Sequence, residues 1–375
     1  MVDVAAGRLH NGCLVKGFLR LAMWKNALVW AGFAVSAVFA YLAVRDVRFD
    51  DVWTGLRESN DWWLIPGLAA LVAANILRAF RWQFLFASET RPRFEPVLSA
   101  MLIGQFFNNV LPARAGDLMR ILVLHDAVGT SRAEAGGTVA TERIYDVLSV
   151  LVLLFVLLPW LPHVGWLRSA AILAIALGAA LLVAIVVVTR FRARPVQYLF
   201  RPLAWVPFIS QSRTDQAAEN LIRGLAAIRR PGLALVAFAL TAVSWVLFGL
   251  SAWLLMQGFD LGRELPLTAG ILVMIALALA MILPSSPAAV SVFEAATLVA
   301  LKAYGVPNSQ ALSYALVLHA LNFFPYIAAG LLLLHLHGAS LRRPEPQQPP
   351  PATTTLAGLP EDARVGPNDF GTDTR

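Results

Sequence analysis

The chain is divided into long apolar blocks, and their length limits what it can become. An α-helix rises about 1.5 Å per residue, so about 20 residues cross a hydrocarbon core about 30 Å thick. Residues 27–44, 62–80, 135–160, 166–189, 232–256 and 311–335 meet that length. Stretches such as 170–188 are apolar all round, whereas a spanning β-strand alternates apolar and polar residues. The expected fold class is therefore all-α, a polytopic transmembrane helical bundle with these six full spans. Apolar residues make up 58% of the chain and charged ones 14%, against roughly 45–50% and about 25% in soluble domains. The surplus has to face lipid. Trp62, Trp63, Trp160, Trp166 and Trp253 stand at or near span ends, where amphipathic rings favour the headgroup zone.

The formal charge is +7, and 27 of the 30 basic residues are arginine. They cluster between apolar blocks, which suits orientation in a membrane and leaves no basic domain for a nucleic acid. The single cysteine, Cys13, excludes an intramolecular disulfide and a cysteine metal cage. His335 and His337 point to different sides of a helix and suit an interface better than a metal. The first block follows Lys16, Arg20 and Lys25 and contains Val38-Phe39-Ala40, a permissible cleavage pattern. The long basic lead and the many later spans favour an uncleaved anchor.

Two further apolar stretches, 96–124 and 267–303, are interrupted in the middle. The first breaks at Leu111-Pro112-Ala113-Arg114-Ala115-Gly116-Asp117 and the second at Leu283-Pro284-Ser285-Ser286-Pro287. Proline removes a backbone donor and disrupts the preceding turn, and freed backbone groups at membrane depth must be buried in protein or line a polar cavity. Each stretch reads as a broken or re-entrant hairpin, with Pro112, Gly116, Pro284 and Pro287 as the breaks. Ser286 with Pro287 has the chemistry to start one half-helix, and Asp117 could cap the other.

With both interruptions as hairpins, Arg78, Arg81, Arg91, Arg93 and the eight arginines of 190–230 fall on the inner side, together with both termini. The outer loop 45–61 holds three arginines against five carboxylates. The positive-inside rule is satisfied. The organisation is a lead (1–26), a transmembrane domain (27–337, halves about 27–160 and 166–337, with the arginine-rich inner loop 190–230) and a proline- and threonine-rich tail (338–375) expected to be disordered.

Each half then holds two spans, a hairpin and a final span. Setting Ser131-Arg-Ala-Glu-Ala135 against Pro307-Asn-Ser-Gln-Ala311 places Arg143 opposite His319 and Asp146 opposite Asn322. One hairpin would enter from inside and the other from outside, so the repeat is expected to be inverted.

Charged residues at a span centre cost about 2.5–3.5 kcal/mol each on insertion scales, so they normally face a partner or a wet cavity. Glu142, Arg143 and Asp146 share one span; Arg143 and Asp146 lie on one face, as a site or as an ion pair stapling helices. Arg114, Asp117 and Arg120 follow the first break, beside Asn108 and Asn109. A guanidinium fork matches phosphate oxygens, and half-helix amides add positive potential. Arg78 and Arg81, with Trp82, close the second span, where snorkelling anchors are the favoured role over phosphate holders. Glu294 lies seven residues into the half-helix expected at Pro287. As a lone buried carboxylate it should pair across the repeat interface or bind a proton or a cationic group. Ser285, Ser286, His319 and Asn322 complete the candidate binding residues. No nucleophile-base pair, metal cluster or Gly-x-x-x-x-Gly-Lys phosphate loop is visible, so neither a catalytic residue nor a cofactor is expected.

The segments Gly104-Gln-Phe-Phe-Asn-Asn-Val-Leu-Pro-Ala-Arg-Ala-Gly-Asp-Leu-Met-Arg120, Glu142-Arg-Ile-Tyr-Asp146 and Leu283-Pro-Ser-Ser-Pro-Ala-Ala-Val-Ser-Val-Phe-Glu294, with Arg81-Trp82, resemble the lysylphosphatidylglycerol synthase transmembrane (flippase-like) family. The resemblance spans nearly the whole membrane region. It implies a bacterial or archaeal cytoplasmic-membrane protein; in the family's aminoacyl-lipid members this region is associated with moving the lipid between leaflets. The family often carries glycines after the second Pro-x-x-Pro; Ala288, Ala289 and Ser291 stand here instead. Only 38 residues follow His337, so the separate soluble aminoacyl-transfer domain of some members is not expected. The expected function is translocation of a membrane phospholipid or lipid-linked substrate. The alternative is a scaffold for a separate synthase or glycosyltransferase.

Overall fold

The computed structural model describes residues 27–44, 47–111, 115–162, 230–259, 261, 264–281 and 286–341, with scattered positions between 165 and 183. These residues are mostly helical, without a strand among them. Most of the expected span 166–189, the loop 190–229, the lead 1–26 and the tail beyond Leu341 lie outside the described residues.

In chain order the helices are α1 (Ala27–Val44), α2 (Phe49–Glu58), α3 (Leu64–Leu85), α4 (Phe94–Val110), α5 (Gly116–Val128), α6 (Arg132–Leu157), α7 (Pro231–Gly258), α8 (Leu267–Ala280), α9 (Val292–Lys302) and α10 (Asn308–Leu341). A 3₁₀ turn, Asp61–Trp63, leads into α3, and another, Leu158–Trp160, ends α6. With those turns, four described segments are long and apolar enough to cross a membrane: Asp61–Leu85, Arg132–Trp160, Pro231–Gly258 and Asn308–Leu336.

Local chemistry sets the ends. Pro231 opens α7 at the position where a missing N–H costs nothing. α4 stops at Leu111, whose extended backbone (φ −97°, ψ 144°) is what a residue preceding proline adopts. Gly129 closes α5 in the left-handed region, φ +70°.

Three boundaries differ from the sequence reading. α3 runs to Leu85, so Arg81 and Trp82 lie within the helix and not past its end. Pro287 opens only a 3₁₀ turn (Pro287–Ala289), and the second half-helix begins at Val292. The cause is left-handed backbone at Ala288, Ala289 and Ser291 (φ 57°, 55° and 72°), which cannot continue a right-handed helix. The last helix continues to Leu341, beyond the expected tail boundary at 338.

The chain divides into one unit, Met1–Leu334, which holds the site, and a second, His335–Arg375, described only to Leu341. Within the first, α7 lies along α3 and also packs on α8 and α6; α4 packs on α5, and α8 on α9. The helix before the first break, α4, also touches the turn after the second. Buried apolar residues form two cores. The larger draws on α3 and α6 to α10, and the smaller surrounds Trp82, Phe86, Val97, Met101 and Leu124.

Candidate functional site

Beside the smaller core lies a network of charges. Arg78 and Arg81 are three apart on α3, Glu142 and Asp146 four apart on α6, so each pair shares one helix face. Arg81 is completely buried. Its Nη1 donates to Asp146 Oδ1 and to Thr241 Oγ1 on α7, both at 2.8 Å, and its Nη2 is 2.9 Å from Glu142 Oε1. Arg78 Nη2 lies 3.3 Å from Glu142 Oε1 and 3.4 Å from Asp146 Oδ2. Arg120, on α5, donates to Glu142 Oε2 at 3.0 Å and rests its guanidinium over Trp82, 4.8 Å from the ring. Trp82 in turn donates to Thr138 Oγ1 at 3.0 Å. Arg143 binds Asp117 with Nη2 2.8 Å from Oδ1 and 2.5 Å from Oδ2.

Among the described residues, four guanidiniums thus face three carboxylates, leaving one positive charge in excess. Buried ions are tolerated when paired and hydrogen-bonded, yet Arg78 Nε and Arg120 Nε reach no hydrogen-bond acceptor among the described residues, and Arg120 Nη2 has only the Asp117 carboxylate 3.5 Å away. The network also has a direction. The Arg81 and Glu142 side chains are fully buried, whereas those of Arg143 and Asp117 are 41% and 29% exposed. Glu142 and Thr241 each stand ten residues beyond the start of their helix, about 15 Å along it.

Several sequence expectations change here. Arg78 and Arg81 are not snorkelling anchors: the carboxylates of α6 hold Arg81 inside and Arg78 nearly so. Asp117 does not cap α5; Arg143 holds its carboxylate, and Asn108 Oδ1 instead accepts the Gly116 N–H at 2.9 Å. Arg143 and Asp146 are not a self-contained pair. They are 3.6 Å apart, but each has a closer partner on another helix. Gly116 permits the hairpin to close, since a Cβ there would stand 1.9 Å from the Gly104 carbonyl. Asn109 Nδ2 is buried without a partner among the described residues. Pro112 and Arg114 lie outside the described residues.

The remaining candidates gather at the second break. His319 Nδ1 is 2.6 Å from Glu294 Oε1 and its Nε2 3.1 Å from the Ala288 carbonyl. Glu294 Oε2 accepts the Ser291 N–H at 2.6 Å, completing a capping box in which Ser291 caps α9. Glu294 is therefore in the first turn of its helix, not seven residues in, and its partner comes from the same half of the chain, not from across the interface. Ser286 donates its N–H to Ser36 Oγ on α1 at 2.9 Å. Asn322 turns back to the Leu318 carbonyl on its own helix, 2.9 Å away, and joins neither cluster. Pro284 and Ser285 lie outside the described residues.

Sequence reasoning missed Thr241, Thr138 and Ser36. A hydroxyl within an apolar helix was the available signal, but many such hydroxyls only bond the preceding turn, as Thr241 also does to the Ala237 carbonyl. Asn75 was missed too; its Nδ2 donates to Tyr326 Oη at 2.8 Å, joining α3 to α10.

Comparison with known proteins gives a consistent picture. The family profile described as the lysylphosphatidylglycerol synthase TM region matches residues 29–330. A UPF0104 membrane protein of Methanocaldococcus jannaschii is 21% identical over 231 residues, covering 62% of this chain and 94% of the relative. A UPF0104 membrane protein of Methanothermobacter thermautotrophicus is 25% identical over 288 residues, covering 72% of this chain and 82% of the relative. No solved structure matches the chain.

Proposed function

Because the chain belongs to the lysylphosphatidylglycerol synthase transmembrane family of membrane proteins, we propose that it moves an anionic or aminoacylated lipid, or a lipid-linked headgroup, between the leaflets of the cytoplasmic membrane. The observation that carries this reading is the uneven network: four arginines against three carboxylates, closed at Arg81 and open at Arg143, with buried guanidinium donors left over. A lipid phosphate supplies what is lacking, a negative charge and several acceptor oxygens that match a guanidinium fork. Arg143 and Arg120, with Arg114, meet the phosphate; Arg78, Arg81, Glu142 and Asp146 hold them in place.

The element order supports the expected repeat. A long helix, a shorter one, a break, a half-helix and a long helix occur as α3 to α6 and again as α7 to α10. In this reading the halves are inverted, both termini are cytoplasmic, and the two hairpins rock about the midplane, downhill or coupled to an ion. The chain acts as a carrier and not as an enzyme.

The test is a leaflet assay on purified protein in liposomes, with fluorescent anionic, zwitterionic and aminoacylated lipids. Faster inversion of at least one class, lost in Arg143→Gln, is expected; no acceleration for any of them would end the translocation reading. The complete burial of Arg81 and Glu142 favours a second reading, in which the charges only lock helices and the protein seats a separate synthase or glycosyltransferase. On that reading, replacing Arg143 and Asp146 together with Gln and Asn leaves function intact.

A further inference from the structure

The contacts of His319 fix how many protons it shares with Glu294. A backbone carbonyl can only accept, so the nitrogen facing the Ala288 carbonyl, Nε2, carries a hydrogen. The 2.6 Å contact between Nδ1 and Glu294 Oε1 needs a second hydrogen, carried by the ring or by the carboxyl. Both hydrogens are present only as imidazolium with carboxylate, or as neutral imidazole with carboxylic acid. Neutral imidazole beside ionised carboxylate has one N–H for two acceptors.

The surroundings suit the loaded form. Phe293 stacks on the His319 ring at 4.4 Å and 14°, and Phe323 meets it edge-on at 6.3 Å, so a π face lies against the imidazole where positive charge is attracted. Among the packed elements, α1 carries only Tyr41 and α8 no titratable group. α4 has Glu95 in its first turn, α9 has Lys302 in its last, and α10 adds Tyr314 and Tyr326; α2, which meets α10 through Ser313, carries Asp50, Asp51, Arg57 and Glu58, and α3, which meets it through Tyr326, carries Arg78 and Arg81. None of them bonds the pair. The side chains are 14% and 9% exposed, so the pair is not sealed inside the protein.

We propose that Glu294 and His319 form a proton-binding site, and that its occupancy holds the left-handed turn of the second break. Loaded, the pair bonds both ends of that turn: His319 Nε2 grips the Ala288 carbonyl and Glu294 Oε2 takes the Ser291 N–H. When one proton leaves to water, the remaining N–H cannot serve Ala288 and Glu294 together. The turn, three of whose residues sit in an unfavourable region, loses a tether and loosens. Because α4 of the first hairpin packs on this turn, the proton is placed to bias both breaks. The proton site stands without the translocation reading; only its service to lipid movement rests on that reading.

The test uses the full chain in liposomes, with Cys13 replaced by serine and a nitroxide attached at Val290→Cys, a half-exposed position in the turn. As the pH is raised, the spectrum should pass from slow to fast motion. Glu294→Gln keeps a donor toward Nδ1 and an acceptor toward Ser291, so the label should stay slow at every pH. Glu294→Ala and His319→Ala should leave it fast at every pH. A pH-independent spectrum in the unsubstituted pair, or a Gln variant as mobile as the Ala variant, would overturn the proposal. Lipid inversion is not read here, so a failed leaflet assay and a failed proton site remain separate results.

Discussion

Arg143 spans from α6 to the Asp117 carboxylate in the first turn of α5, with Nη2 2.8 Å from one oxygen and 2.5 Å from the other. The second half has the same construction. His319 binds Glu294 in the first turn of α9, and both basic residues stand eleven places beyond the start of their long helix, 132 to 143 and 308 to 319. Arginine keeps its charge at every ordinary pH whereas histidine as a residue type can gain or lose a proton, so the matching positions of the two halves differ in chemistry.

The open end of the network should separate function from stability. The Arg143 and Asp117 side chains are partly exposed, and exposed ion pairs contribute about 0–1 kcal/mol. Arg143→Gln is therefore expected to leave thermal unfolding in detergent nearly unchanged while lowering lipid inversion about tenfold or more, which corresponds to about 1.4 kcal/mol of lost phosphate interaction. Equal inversion rates in the two proteins would remove Arg143 from the pathway.

At the closed end the order reverses. Glu142 is wholly buried between Arg78, Arg81 and Arg120, and deleting one partner of such a cluster strands the others without compensation. Glu142→Gln should cost about 3–5 kcal/mol. A denaturant titration checks this, and a variant as stable as the parent would show that water reaches these arginines.

How much of this could be read in advance depends on the kind of signal. Helix placement was legible because spans obey a length rule and prolines mark the breaks; α1 has the bounds assigned to it, and Leu111 is extended because Pro112 follows. Glu142, Arg143 and Asp146 were visible because charge inside an apolar run is costly. Their partners were not. Arg81 lies 65 residues from Asp146 and Thr241 another 95 further on, and nothing local in the sequence encodes which face of α3 meets α6. An apolar tally ends the span at residue 80 and gives the arginines near it the look of anchors, whereas the carboxylates of α6 allow the helix to bury them. The left-handed turn was hidden for another reason: alanine carries no local mark of it, and only the missing glycines hinted at special backbone.

Closure of the first hairpin should depend on Gly116. A methyl group there would lie 1.9 Å from the Gly104 carbonyl and 2.6 Å from Asn108 Cγ, and neither backbone nor the Asn108 cap can move without parting α4 from α5. Overpacking of this kind costs about 1–3 kcal/mol, at times more. Gly116→Ala should lower the unfolding midpoint and slow lipid inversion, while Gly136→Ala, whose added carbon meets only Ile121 Cδ1 at 3.9 Å, should change neither.

The second break allows a prediction of opposite sign from one residue. Ala288 holds φ 57°, where a side chain costs about 1–2 kcal/mol relative to a right-handed residue. Glycine removes that penalty but loses more conformational freedom on folding, about 0.4–1 kcal/mol. Ala288→Gly should therefore raise stability by up to about 1 kcal/mol, and Ala288→Val, with its branched Cβ in the same region, should lower it. The carbonyl that His319 holds belongs to this residue, so the glycine variant should also keep its turn ordered to higher pH than the parent, because less strain pulls against the tether. Measuring the denaturant midpoint for both variants at about pH 6 and about pH 8, on either side of the ordinary histidine midpoint, decides it. If glycine proved destabilising at both, the left-handed turn would not be the resting conformation of the second break.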